Sequence, residues 1–202
     1  MKKLIIAVMI SAASIAATYG AAGIYDSFAI VNTTSTTYYD AGASTGNPDF
    51  NGAFLGNFTV ASDNLKLGGQ TKLWKNNGTD VTAADIFYQV RPVASVIVSF
   101  SSLSYIWQAD LGGNDYRWGT ETKASPDNYT ANLLTGLTNG DYYLDVYTRI
   151  TTNGFDAATY IYANNGTNNY TATFTVVPEP ATWALLAGGL TTLMVIRRRR
   201  IG

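Results

Sequence analysis

The sequence predicts an all-β protein, an antiparallel β-sandwich, on three observations. Alternation of period two recurs through its middle, Asn-Gly pairs punctuate the alternating runs, and no helical 3.6-residue pattern of useful length lies between its two ends. In residues 142–150, Leu144, Val146, Thr148 and Ile150 share one face and Tyr143, Asp145, Tyr147 and Arg149 the other. In residues 170–176, Tyr170, Ala172, Phe174 and Val176 alternate with three threonines. Successive side chains leave a strand on opposite sides, so each run is a strand with one face on a core and the other toward water.

Taken in chain order, residues 1–22 read as a secretory signal peptide, with an N-terminal signal helix. Lys2 and Lys3 precede the apolar run 4–10, and small residues through Ala22 follow it. Small residues two positions earlier admit a cut after Ala16 or Ala22, and Ala22 is favoured. The body, residues 23–177, opens with a loop-like stretch, 23–50, that serves as an irregular lead-in or an edge strand. Strands are expected at 52–60, 70–75, 84–91, 94–100, 129–134, 142–150, 158–162 and 170–176. Asn-Gly pairs at 51–52, 77–78, 139–140, 153–154 and 165–166 supply the positive φ that tight turns need. Short, numerous strands with frequent turns favour two packed sheets. Residues 134–146, Leu-Thr-Gly-Leu-Thr-Asn-Gly-Asp-Tyr-Tyr-Leu-Asp-Val, resemble the entry to a late strand of immunoglobulin- or fibronectin-like domains. That resemblance implies a tyrosine corner, with Tyr142 hydrogen-bonded back to the preceding loop.

Residues 178–202 are unlike the body. Residues 181–196 carry no charge and, as a transmembrane helix, span roughly 24 Å, a little short of a bilayer's hydrocarbon core. Arg197, Arg198, Arg199 and Arg200 follow at once, and charge of this density stays cytoplasmic as a stop-transfer element. Before the apolar run stand Pro178, Glu179 and Pro180, whose two prolines remove backbone donors and hold the chain extended. The order of motif, apolar helix and arginine cluster resembles the sorting signal of the PEP-CTERM family. The resemblance implies recognition of Pro178, Glu179 and Pro180 by an exosortase, a membrane-embedded cysteine protease or transpeptidase of Gram-negative bacteria that make exopolysaccharide. It implies an exported cell-envelope or extracellular protein, transiently anchored in the cytoplasmic membrane with its C-terminus cytoplasmic, and a role in matrix or biofilm. It covers about the last twenty-five residues and says nothing of the body.

Within 23–178, seven lysines and arginines stand against thirteen aspartates and glutamates, a net charge of −6. Such a body has no electrostatic footprint for nucleic acid. His and Cys are absent, which excludes Ser-His-Asp and Cys-His nucleophiles, the usual zinc sites and disulfides. No enzyme and no cofactor is expected, and the segment Asp110-Leu-Gly-Gly-Asn-Asp115 reads as a plain loop rather than a calcium site. Six Asn-x-Thr triplets, at Asn32, Asn57, Asn77, Asn128, Asn165 and Asn169, follow from a composition of sixteen asparagines and twenty-six threonines.

The aromatics offer a rival to a structural role. Trp118, Tyr116 and Trp107 are candidate glycan contacts, since flat aromatic faces stack on sugar rings. Trp74 and Trp107 are expected in the core beside strands, and Trp118, between Arg117 and Gly119, exposed in a loop. The expectation is therefore a non-enzymatic surface or matrix protein; the alternative is a carbohydrate-binding module.

Overall fold

The structure, a computed structural model, describes residues 21–76, 78–120, 128–155 and 158–179. Eleven strands are described: β1 Ala22–Asn32, β2 Thr36–Asp40, β3 Phe54–Phe58, β4 Lys66–Lys75, β5 Val81–Pro92, β6 Ser101–Ser104, β7 Ile106–Gly112, β8 Asp115–Gly119, β9 Gly140–Thr152, β10 Tyr160–Ala163 and β11 Tyr170–Val176. They form a two-sheet sandwich. One sheet runs β2-β1-β4-β8-β7; the other runs β3-β11-β9-β5-β6, with β10 placed end to end with β11 along one side of β9. All pairings are antiparallel except β3 with β11, which makes the second sheet mixed.

The alternation in β9 has the physical result its pattern demands. Leu144, Val146, Thr148 and Ile150 are buried between the sheets. They meet Phe58, Leu67, Leu73, Ile86, Phe174 and Val176 in one core. A buried chain of hydroxyls crosses that core: Ser27 Oγ of β1 donates to Thr148 Oγ1 at 2.8 Å, and the Tyr105 hydroxyl lies 3.2 Å from the same atom. Tyr105 occupies the switch from β6 to β7 and fits because Gly69 has no side chain; a Cβ there would run into the phenol. The outer face of β9 is also covered. Phe87 stacks on Tyr147 with centroids 4.7 Å apart, and the guanidinium of Arg149 lies over Phe87. Asp145, wholly buried on that face, accepts from Arg91 Nε at 2.6 Å and Thr171 Oγ1 at 2.7 Å, so its charge is paired and its lone pairs used.

The Tyr142 corner forms. The Tyr142 hydroxyl donates to Thr138 O at 2.9 Å and accepts from Thr138 N at 3.2 Å.

Four expectations are corrected. Residues 23–50 supply the expected edge strand in β2 but are no irregular lead-in: β1 lies inside its sheet between β2 and β4 and is buried on both faces from Ser27 to Val31. That double burial removes the polar alternation that would have marked it. Residues 94–100 alternate but do not pair; Ser95 closes a turn on Pro92 O, and Val98 N reaches the side chain of Gln89 instead of a ladder partner. Residues 129–134 are irregular. They hold the start of β4 partly through side chains, with Thr130 Oγ1 and Asn132 Oδ1 accepting from Leu67 N and Leu65 N. Lastly, residues 106–112 and 115–119 form a hairpin, and Asp110 Oδ1 accepts from Gly112 N at its turn.

The favoured signal cut falls at the first residue of β1. Most of the proposed signal helix, Pro180, the apolar stretch 181–196, and Arg197, Arg198, Arg199 and Arg200 lie outside the described residues. No helix among the described residues is long and apolar enough to cross a membrane.

Candidate functional site

Two places on the sandwich bring together residues singled out from the sequence. The first is the exit of the chain from β11. Val176 is 2% exposed, and Val177 N still donates to Phe58 O at 2.9 Å, continuing the parallel pairing with β3. Pro178 has no N–H to offer, so pairing ends there. Pro178 and Glu179 are exposed. A single residue therefore separates the last buried core side chain from the first proline.

The second is a cleft of about 240 Å³ where the sheets part, lined by Leu73, Lys75, Asp80, Val81, Trp107, Tyr116 and Trp118. Strand pairing builds it. Leu73 of β4 faces the core and is opposite Tyr116 of β8, while Thr71 is opposite Trp118; Tyr116 and Trp118 therefore point to the inner side of their sheet. Trp107 of β7 is the cross-strand partner of Trp118, which sets two indoles side by side. A bulge between Trp107 and Ala109 follows at the sheet's edge. The rim is charged. Lys75 Nζ pairs with Asp80 and lies over the Tyr116 ring, 4.6 Å from its centroid. Its hydrogen bond to Asp80 holds that carboxyl below the usual range.

Three tryptophans lie elsewhere than expected. Trp107, expected in the core, is 56% exposed, because the far sheet ends before it covers the edge strand β7. Trp118, expected in an exposed loop, sits in β8 and packs half-buried against the core. Trp74, also expected in the core, is half-buried on the outer face because its neighbour Leu73 takes the inner one, and its ring lies over Gly23 of β1, where an added Cβ would be 2.6 Å from the indole nitrogen. The pairing of Trp107 with Trp118 depends on the β7–β8 hairpin, whose turn residues Gly112, Gly113 and Asn114 all have positive φ. The Gly-Gly-Asn triplet was the signal available in the sequence.

The remaining carboxylates are dispersed. Asp26 pairs with Lys72 at 2.8 Å, Asp85 with Arg149 at 3.5 Å, and Asp40 accepts from Thr45 N, Thr45 Oγ1 and Asn47 Nδ2. Among the described residues no three acidic side chains gather where they could hold a metal ion.

Residues 176–200 match the PEP-CTERM protein-sorting motif, so the last residue of β11 is the motif's first. The motif implies an exported protein, held in the membrane at its C-terminus before an exosortase processes it. No curated protein matches the chain. A solved structure similar to the chain is that of the CooA pilin subunit from enterotoxigenic Escherichia coli. It has 11% identity and a TM-score of 0.31, and the match covers 74% of this chain and 99% of that one.

Proposed function

We propose that the chain is a non-enzymatic protein of the cell surface or extracellular matrix, exported by residues 1–22, anchored through 181–196 and processed at Pro178-Glu179-Pro180 by an exosortase. The body then works in the exopolysaccharide surroundings of the producing cell. The observation that carries this reading is the junction at Val177. The core is complete at Val176, and the motif begins where strand pairing ends, so cutting within it removes the tail without removing a strand. The many Thr and Asn side chains are uncharged and hydrogen-bonding, as suits a hydrated polymer.

The test is replacement of Pro178, Glu179 and Pro180 by alanine in the producing cell, with mass spectrometry of the mature C-terminus. The variant should remain full-length in the membrane while the wild type loses Arg197, Arg198, Arg199 and Arg200. Recovery of those arginines on mature wild-type protein refutes the reading.

A second reading, a carbohydrate-binding module, is favoured by one observation, the paired indoles of Trp107 and Trp118 in the open cleft. Their faces, with Tyr116, would stack on a sugar ring, and the Lys75–Asp80 rim would meet its hydroxyls. At about 240 Å³ the cleft is smaller than most drug-sized ligand sites, which run from roughly 300 Å³. It suits a single ring or a chain end.

A further inference from the structure

We infer that the loop joining β5 to β6, through Val93, Val96, Ile97 and Val98, rests in the surface of the lipid bilayer while the chain is anchored. The loop is unusual for a water-facing surface. Val96 is 78% exposed, Val98 80%, Ile97 46% and Val93 42%, and residues 92–100 contain no charged side chain. These are four of the twelve large exposed apolar residues among those described, gathered in one turn.

Topology puts this loop beside the exit of the chain from β11. In the second sheet Pro92, the end of β5, pairs with Tyr142 at the start of β9, and Val176, the end of β11, pairs with Gly140. Both strand ends lie at the same end of the sheet, with only β9 between them. Two ladder spacings, about 10 Å, separate them. Val93 N donates to Asp141 O at 3.1 Å, which fixes the base of the loop against that end. Arg91 reaches the base of the loop, where its guanidinium donates to the carbonyl of Ser95, and its charge is paired with the carboxylate of Asp145.

The tether is short. From Val177 to the start of the apolar stretch at 181 is four residues, at most about 14 Å of extended chain. The stretch itself, at roughly 24 Å, is shorter than a hydrocarbon core of about 30 Å. That mismatch draws the sandwich toward the headgroups rather than away from them. The end face must therefore sit at the lipid surface, and its one apolar loop is the part that gains by entering it. The other connections there carry threonine, asparagine and aspartate, with Asp63 capping Thr59 N and Asp141 accepting from Thr175 Oγ1. They remain in water.

This inference rests on C-terminal anchoring, and the experiment separates the two. The chain has no cysteine, so single cysteines at Val96, Val98 and, as a control at the far end of β9, Thr159 each carry one environment-sensitive fluorophore. The full-length chain is reconstituted in phosphatidylcholine vesicles containing nitroxide-labelled lipid. Labels at 96 and 98 should shift to the blue and be quenched at least threefold more than the label at 159. In a chain also carrying Val96→Asp, the shift at 98 should fall by roughly tenfold in apparent partition, the factor expected from a valine withdrawn from lipid. Val96 is solvent-exposed, so the fold is retained, and circular dichroism checks it. Chains that float with the vesicles but leave 96 and 98 as water-exposed as 159 overturn the inference and leave the anchor intact. Quenching that appears only in membranes containing other proteins also overturns it, since the loop then docks on protein. Chains that do not float refute the anchoring itself.

Discussion

Tyr142→Phe isolates the corner hydrogen bonds from everything else that residue does. The side chain is 5% exposed, and its ring stacks on Phe174 with centroids 5.5 Å apart and planes at 17°. Phenylalanine keeps the ring and the stack. It loses the bond donated to Thr138 O and the one accepted from Thr138 N. Each is worth about 0.5–1.5 kcal/mol net. Thr138 is itself exposed, so water reaches its freed backbone groups and the full penalty for a buried orphan does not apply. The expected loss is about 1–2 kcal/mol, or a Tm lower by about 2–8 °C for a domain of this size. Tyr142→Ala, which also opens a cavity beside Phe174, should lose about 3–5 kcal/mol. The assay is urea denaturation of residues 21–179, wild type beside both variants, with equal m-values as the sign that the unfolded states match. A Phe variant as stable as wild type would show that the corner contributes nothing. A Phe loss equal to the Ala loss would mean the ring packing had moved as well, and the argument would fail.

Three further outcomes are expected. Gly69→Ala should destabilise the body by about 2 kcal/mol, because its methyl meets the buried Tyr105 phenol, and Tyr105→Leu in the same chain should recover part of the loss; additive damage would show that the two residues do not touch. Burial alone would raise the Asp40 carboxyl, but hydrogen bonds from Thr45 and Asn47 outweigh it and hold it below its ordinary value. Asp40 therefore contributes stability above about pH 4 that disappears as the pH falls through the lowered value. Melts of wild type and Asp40→Asn should differ at pH 6 and draw together as the pH falls through the lowered value, and a gap that does not narrow in acid would refute the linkage. Finally, Trp107→Ala should change stability by less than about 0.5 kcal/mol and Trp118→Ala by about 2–4 kcal/mol, since only the second packs on the core. If the cleft binds sugar, a pull-down with the cell's own exopolysaccharide should lose roughly tenfold or more with either variant; unaltered binding by Trp107→Ala removes the cleft from consideration.

The sequence alone determined whatever depends on a residue and its near neighbours. Strands β9 and β11 show one-face burial as plain alternation, and they form within two residues of where the alternation runs. The corner at Tyr142 spans four residues and needs only a turn and a strand, so its local pattern suffices. The sorting motif is read by its linear order and was legible for the same reason. Tertiary structure decided the rest. Segment 94–100 alternates as a strand does and β1 does not, yet β1 lies inside a sheet and 94–100 is unpaired. A strand needs an open neighbour, and β1 has β2 and β4 on its two sides, while residues 94–100 lie where β5 has already turned away. The exposure of Trp107 and the half-burial of Trp118 reverse their expected places for a related cause. Burial at a sandwich edge is set by how far the opposite sheet extends, and no residue next to either tryptophan carries that information.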